Sequence, residues 1–377
     1  MKAPRSIRFS IFIPCLLALA VFAVPRTVQA QQNWHLSIGA ETKDMGRQAS
    51  AFLPNEIWIH AGDSITWTWQ SDLIHTLSFL TPGQTTPVDF TQGCPGFGTS
   101  GAPFDGSTCL TSPPMAKGQT FTVLFPTAGN YKFECLVHLY MTGAVHVLDA
   151  SAPLPHDQAF YDQEAAQQRR ALLTDTDDSK SMDMDMGDSG GQSMNGSVTV
   201  QILSRRDRSS ASVKNLAAGG LLGASEAGKN EVKAGVGEIS STPGGLQLSS
   251  LVRFVKGAIR IHAGDTVEWT NHDPLEPHTI TFGPEADDPA NPFPPSANVT
   301  VDADGALHAI ITSPSEEVHS GAILQALVDE PGLPNTFNTL AFNPTRFRAT
   351  FTQPGTYNYH CVFHDNLGMV GKVIVLP

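Results

Sequence analysis

Residues 57–67 read IWIHAGDSITW, and residues 259–269 read IRIHAGDTVEW. In both segments, apolar and polar residues alternate on either side of an Ala-Gly-Asp step. Alternation of apolar and polar residues with a period of two is typical of a β-strand with one face buried. The Gly-Asp step is typical of a turn, where the chain reverses direction. The repeated segment therefore predicts two strands joined by a turn, present twice in the chain.

The repetition extends well beyond these segments. HTLSF at 75–79 returns as HTITF at 278–282, and further alternating segments lie at 119–125 and 346–351. Many short strands, Gly and Pro turns and little helical periodicity are typical of a β-sandwich. The sequence therefore predicts an all-β fold made by tandem duplication of one sandwich domain.

Each copy also contains a cysteine motif after a predicted strand. Residues 131–143 read YKFECLVHLYMTG, and residues 357–371 read YNYHCVFHDNLGMVG. With a lone upstream histidine, each copy offers a thiolate, two imidazoles and a thioether, which are the ligands of a type 1 (blue) copper site. The candidate ligands are His75, Cys135, His138 and Met141 in the first copy, and His278, Cys361, His364 and Met369 in the second.

These motifs resemble those of the cupredoxin (plastocyanin/azurin-like blue copper) family. The second copy is the closer match, because WTNHDPLEPH at 269–278 is similar to the family segment before the first ligand, and its Cys-to-Met loop has the plastocyanin length. The first copy has a loop two residues shorter, similar to that of amicyanin, and its segment 67–75 lacks the Asn and the Pro.

The resemblance implies two tandem cupredoxin-like Greek-key β-sandwiches joined by a flexible linker, each with one type 1 copper. Cys135 and Cys361 would supply the thiolates, and the methionine of each set would be the axial ligand. His138 and His364 would lie nearest the surface and serve as the points where electrons enter and leave.

The first thirty residues have the features of a secretory signal peptide. A basic start precedes an apolar run at 9–24, and Val-Gln-Ala at 28–30 resembles a cleavage site. A membrane anchor is the alternative, but the run is short and prolines interrupt it. Residues 1–30 are therefore predicted to be removed, which implies a periplasmic or secreted protein with no membrane span after cleavage.

The remaining chain is predicted to form two domains and a linker. Residues 31–149 form the first domain, 150–196 an acidic, Met-containing linker, and 197–377 the second domain with insertions. A helix is predicted from His156 to Leu173. The longest insertion, at about 284–343, is predicted to be a loop with a short helix within 316–328; residues 205–250 receive no assignment.

The linker contains three methionines at alternate positions: Met182, Met184 and Met186. Thioethers are soft ligands that suit Cu(I), so this segment is a possible Cu(I) site. A solvated, acidic, low-complexity linker that happens to contain methionine explains it equally well.

The other cysteines indicate a disulfide. In an oxidising compartment, Cys94 and Cys109 are the pair left after the signal peptide and the two copper motifs are assigned. Two unrelated free thiols are the alternative.

The net charge of the chain is −13, which argues against nucleic-acid binding. The expected partners are redox proteins of unknown identity.

The sequence thus favours an exported electron carrier with two type 1 copper centres over an enzyme. One alternative is copper storage or delivery in copper homeostasis. The other is an oxidase or nitrite reductase, for which His360 beside Cys361 would have to bind a further copper; the histidine pairs of such sites are not found in the sequence.

Overall fold

The fold is described from a computed structural model of the chain. It covers residues 31–87, 93–138, 140–174, 230–274, 276–284, 295–325 and 344–377. Residues 32–377 form one compact unit. The predicted signal peptide, residues 175–196 of the linker and much of the long insertion lie outside the described residues.

The N-terminal domain is a sandwich of two sheets. The strands are β1 (Asn33–Glu41), β2 (Arg47–Leu53), β3 (Glu56–His60), β4 (Ser64–Trp69), β5 (Ser78–Phe79), β6 (Leu110–Thr111), β7 (Thr120–Leu124), β8 (Gly129–Glu134) and β9 (Thr142–Leu148). One layer has the order β2-β1-β4-β7 and the other the order β3-β9-β8-β5-β6.

Alternation along these strands builds the core between the layers. In β4, Ile65, Trp67 and Trp69 are buried, while the residues between them are only half-buried. The Trp67 ring packs edge-on against Phe79 and Phe133 from the opposite layer. Burial of such large aromatic side chains contributes much of the free energy that stabilises a sandwich.

A single helix, α1 (Gln158–Leu173), follows the domain in the described part of the chain. Asp157 caps its N-terminus by accepting a hydrogen bond from Phe160 N at 3.0 Å. The helix lies on β1 and β2, where Tyr161 and Leu172 are buried. The helix predicted from His156 to Leu173 is confirmed, and this part of the linker is packed rather than flexible.

The C-terminal domain repeats the sandwich. Its first layer has the order β15-β16-β18-β13-β10-β11 and its second the order β12-β20-β19-β14-β17. The strands are β10 (Glu231–Thr242), β11 (Gly245–Val255), β12 (Ala258–His262), β13 (Thr266–His272), β14 (Thr281–Phe282), β15 (Thr300–Val301), β16 (Leu307–Ile311), β17 (Val318–His319), β18 (Arg346–Phe351), β19 (Gly355–His360) and β20 (Val370–Leu376).

The two sandwiches share a sheet. Strand β11 pairs with β2 in antiparallel register, Leu248 opposite Ser50 and Leu251 opposite Arg47, which joins the two first layers into one ten-stranded sheet. Helix α1 covers this junction, and Ser249 Oγ donates a hydrogen bond to Leu172 O at 2.5 Å. The domains are therefore held by backbone pairing as well as by side-chain packing.

The prediction of an all-β fold with tandem sandwiches is confirmed. The helix predicted within 316–328 is wrong in its described part, because Val318–His319 forms β17 and pairs with β14. The hairpin of β10 and β11, which forms the junction, occupies part of the stretch that received no assignment.

Candidate metal centres

The candidate ligands of the N-terminal domain converge between its strands. His75 precedes β5, Cys135 follows β8, and His138 lies on the loop to β9. One ligand atom from each of these residues lies within 4.8 Å of the other two. Cys135 N donates to Met141 O at 2.9 Å, and Met141 N donates to His138 O at 3.3 Å. These bonds close the loop and restrain three of the four predicted ligands together.

The C-terminal domain builds the same arrangement from His278, Cys361 and His364. The Cys361 sulfur lies 3.8 Å from His278 Nδ1 and 3.5 Å from His364 Nδ1. Cys361 N donates to Met369 O at 3.1 Å, and Met369 N donates to His364 O at 3.0 Å. A short 3₁₀ helix, Asp365–Leu367, accommodates the two extra residues of this loop.

Both predicted axial residues, Met141 and Met369, are fully buried, as are the two cysteines. Each sulfur accepts a backbone hydrogen bond from the residue after the upstream histidine, Thr76 N to Cys135 and Thr279 N to Cys361, each at 3.4 Å.

The hydrogen bonding around the two sulfurs then differs. His138 N donates to the sulfur of Cys135 at 3.4 Å, whereas His364 N donates to the carbonyl oxygen of Cys361 at 3.1 Å. A hydrogen bond to a thiolate withdraws negative charge from its sulfur. The sulfurs of Cys135 and Cys361 would therefore differ in the negative charge that they present to a metal.

Burial alone would raise the pKa of each thiol, because it disfavours the thiolate. The two imidazoles beside each sulfur outweigh this effect, and the pKa of Cys135 and of Cys361 lies well below the ordinary value. The neighbouring imidazoles therefore favour the thiolate of both residues, which is the form that binds metals.

The donor set also fits a metal at the level of single atoms. His75 Nε2 contacts Ser71 Oγ at 3.1 Å, which leaves Nδ1 for coordination. That Nδ1 atom is buried and has no hydrogen-bond partner among the described residues. Buried polar atoms are normally satisfied, so an orphaned nitrogen in a cluster with a thiolate indicates a metal ligand. Thiolate, imidazole and thioether together suit copper.

Two glycines give the upstream histidines their space. Gly39 and Gly235 lie at matching β-bulges and have φ angles of 70° and 75°. A Cβ atom at Gly39 would collide with Ser71 and approach His75 Nε2; one at Gly235 would collide with the His278 ring. A left-handed bulge glycine therefore lies behind each upstream ligand, a constraint that the sequence motifs do not show.

The sequence relationships agree with this geometry. The family model described as "Copper binding proteins, plastocyanin/azurin family" matches residues 38–148 and 246–376, one region in each sandwich. The chain belongs to the plastocyanin/azurin family of copper-binding proteins. The resemblance predicted from the motifs is thereby confirmed for both copies.

Individual relatives match about one third of the chain. Plastocyanin of Synechococcus sp. (strain JA-2-3B'a(2-13)) is 29% identical over 118 residues, which are 31% of this chain and 60% of that protein, less than two thirds of its length. Among solved structures, amicyanin from Paracoccus versutus is 22% identical and covers 32% of this chain and 86% of its own, with a TM-score of 0.21. A reduced amicyanin mutant is also 22% identical and covers 31% and 82%, with a TM-score of 0.20.

The two candidate centres face one another across a carboxylate. Glu276 Oε1 lies 3.3 Å from His138 Nε2, and Glu276 Oε2 lies 3.5 Å from His364 Nε2. His138 is 6% exposed, His364 is 2% exposed and Glu276 is 4% exposed. The expectation that these histidines lie at the surface is therefore wrong: both are buried at the junction of the two domains.

Burial alone would raise the pKa of the Glu276 carboxyl. The imidazoles of His138 and His364 outweigh that effect, so its pKa lies well below the ordinary value. Glu276 was not identified from the sequence. The sequence does contain one signal for it. Two positions before the predicted upstream ligand, the second copy has the acidic Glu276, whereas the first copy has Leu73.

The remaining predicted residues are placed as follows. Cys94 and Cys109 are joined as a disulfide, with their Cα atoms 5.5 Å apart. Met182, Met184 and Met186 lie outside the described residues. His360 ends β19 and is half-buried. Within the part of the chain that is described, the clusters of three or more potential metal ligands are the two above.

No helix among the described residues has the length and apolar character needed to span a membrane.

Proposed function

We propose that the chain is an exported electron carrier with one type 1 copper centre in each domain. The ligands would be His75, Cys135, His138 and Met141 in one, and His278, Cys361, His364 and Met369 in the other. The observation that carries the proposal is the repeated, buried His-Cys-His cluster, each with a buried methionine on the same loop. Copper bound there would supply a one-electron Cu(II)/Cu(I) couple.

The protein's part in electron transfer is to keep the ligands from moving when the charge at the site changes. Paired backbone hydrogen bonds fix the Cys-to-Met loops, and isolated β-bridges to Met115 and Ile323 fix the upstream histidines His75 and His278. Full burial of the sulfurs excludes water from the thiolates. Rigid, dry sites need little reorganisation for each electron, which favours transfer over chemistry on a substrate.

The N-terminal thirty residues support export, and the disulfide between Cys94 and Cys109 fits an oxidising compartment. We therefore place the protein in the periplasm or outside the cell, with redox proteins as its partners. The domain limits proposed are 31–149 and 197–377, joined by 150–196.

Two other functions remain as outcomes of experiment. Copper storage or delivery would draw on the methionines of the linker and would require exchangeable Cu(I). An oxidase or nitrite reductase would require copper beyond two per chain.

The deciding experiment is copper counting together with the visible spectrum of the purified mature protein. Two coppers per chain and an intense thiolate-to-copper band are expected. Cys135→Ser and Cys361→Ser should each remove about half of that band, since each removes one thiolate of the type 1 ligand set. A copper-loaded protein without the band would refute the proposed function, and more than two coppers would favour an enzyme.

A further inference from the structure

Glu276 belongs to neither centre alone. Its two carboxylate oxygens are divided between the domains, one lying 3.3 Å from His138 Nε2 and the other 3.5 Å from His364 Nε2. The side chain is buried, and so are both imidazoles. A buried carboxylate is unfavourable unless charged or hydrogen-bonding groups compensate it, and these two ring nitrogens lie within ion-pairing distance of its oxygens.

Two neighbouring side chains hold the main chain of Glu276 in place from both sides. Glu276 N donates to Asp273 Oδ1 at 3.1 Å, and Asn271 Nδ2 donates to Glu276 O at 2.8 Å. Asp273 N in turn donates to Asn271 Oδ1 at 2.7 Å. The loop before His278 thus fixes Glu276 by polar contacts that are themselves buried.

The duplicated chain places a different residue at the matching position of the other domain. Leu73 stands two residues before His75, as Glu276 stands two residues before His278. Leu73 packs into the hydrophobic core of the C-terminal domain. Each domain therefore extends its pre-ligand loop onto the other, one with an apolar side chain that packs and one with a carboxylate that contacts both centres.

The orientation of the rings completes the geometry. His138 Nδ1 lies 3.7 Å from the Cys135 sulfur, and His364 Nδ1 lies 3.5 Å from the Cys361 sulfur. When Nδ1 binds a metal, Nε2 carries the proton and points away from the metal. A carboxylate that accepts this N–H fixes the tautomer and the ring orientation, and it makes the imidazole a stronger ligand.

We propose that Glu276 is a positioning residue shared by the two copper centres, and that it makes them a coupled pair between which one electron passes. The path would run from Cys135 through His138, Glu276 and His364 to Cys361. With copper bound, the exchange would oxidise Cu(I) at one centre to Cu(II) and reduce Cu(II) at the other to Cu(I), with no further reactant. This inference rests on the proposed function.

The charges explain why a carboxylate suits this place. An oxidised centre with one thiolate carries one net positive charge, and a reduced centre carries none. Two carboxylates are buried beside the centres: Glu276, which contacts both, and Asp273, whose Oδ2 lies 3.9 Å from His278 Nε2. Since a buried negative charge attracts positive charge, Glu276 favours the oxidised state of each centre that it contacts.

The test uses the full mature chain loaded with copper. Glu276→Gln keeps the size and removes the charge, and it is combined separately with Cys135→Ser and with Cys361→Ser so that each centre is measured alone. Removing a negative charge should raise the reduction potential of the remaining centre in both backgrounds. Loss of a residue that orients a ligand should also weaken copper binding at each centre, by roughly 10- to 100-fold.

Electron exchange is measured with both centres intact. After rapid one-electron reduction, the wild type should show a relaxation whose rate is independent of protein concentration. Glu276→Leu, which introduces the residue found in the other domain, should slow it. Circular dichroism of the copper-free variants shows whether Glu276→Leu folds. If it does not, the reduction potentials measured with Glu276→Gln still test whether Glu276 is a positioning residue.

Glu56→Gln is the matched control. Glu56 contacts His146 at 3.0 Å, a histidine outside both clusters, so its substitution should change neither potential. If Glu276→Gln changes the reduction potential of one centre only, or of neither, the shared role is overturned. If Glu276→Leu leaves the exchange rate unchanged, the proposed path is overturned. A wild type without the thiolate band would instead refute the proposed function.

Discussion

Gly235→Ala should disable the copper centre proposed for the C-terminal domain, whereas Gly305→Ala should leave it intact. Both glycines have left-handed backbone, with φ angles of 75° and 82°. They differ in what a methyl group would meet: at Gly235 it would collide with the His278 ring, and at Gly305 no atom lies within 4 Å. The pair therefore separates backbone strain from displacement of a ligand.

The magnitudes follow from these two effects. Left-handed backbone at a residue with a Cβ costs about 1–2 kcal/mol, and this applies to both variants. Forcing a methyl group into a packed site costs about 1–3 kcal/mol more, and this applies to Gly235 alone. The free energy of unfolding should thus fall by about 1–2 kcal/mol in Gly305→Ala and by about 2–5 kcal/mol in Gly235→Ala.

Two measurements check this prediction. Urea denaturation of the copper-free proteins gives the free energies of unfolding. The visible spectrum after copper loading gives the state of each centre: Gly235→Ala should lose the contribution of the C-terminal centre, about half of the band. Gly39→Ala, at the matching bulge behind His75, should lose the other half. Equal stabilities and intact spectra for Gly235→Ala and Gly305→Ala would refute the argument that the bulge makes room for the ligand.

The two centres should titrate with different reduction potentials because their sulfur hydrogen bonds differ; one shared midpoint, unchanged in single-site mutants, would contradict this. Mass spectrometry of unreduced, copper-free protein should find two alkylated thiols rather than four, since Cys94 and Cys109 are joined, a bridge that stabilises by about 3 kcal/mol. Replacing the three methionines within 182–186 with leucine should lower Cu(I) uptake and leave the blue band unchanged; equal uptake would make the segment a plain linker. Arg348 lowers the pKa of Asp304 to about 2, so Asp304→Asn should slightly lower the free energy of unfolding at neutral pH. The difference in stability from the wild type should disappear as the pH falls through about 2; a difference that persists in acid would exclude the ion pair as its cause.

Much of the fold and the ligand clusters could be predicted because their signals are local. The strands of each sandwich alternate apolar and polar residues, as Ser64–Trp69 does. Cys135 and His138 belong to one short loop, so sequence spacing alone brings them together. Helix α1 has a capping aspartate and no helix-breaking residue, which is also visible without tertiary structure.

The junction between the domains could not be predicted, because it depends on pairing between distant segments. Strand β11 contains small polar residues such as Ser249 and Ser250, which are buried only because β2 and α1 cover them. Strand pairing is set by register and packing partners rather than by local propensity, so such a segment carries no clear signal of its own. The burial of His138 and His364 is hidden for the same reason.

The role inferred for Glu276 depends on this junction. Two sandwiches on a free linker would change their separation, and a carboxylate of one domain would not remain within 3.3 Å of an imidazole of the other. Pairing of β2 with β11 fixes the relation between the domains through backbone hydrogen bonds, and α1 packs across the same seam. Because bridging geometry tolerates little displacement, a substitution that weakens the seam outside both clusters, such as Ser249→Pro in β11, should alter the potentials of both centres together.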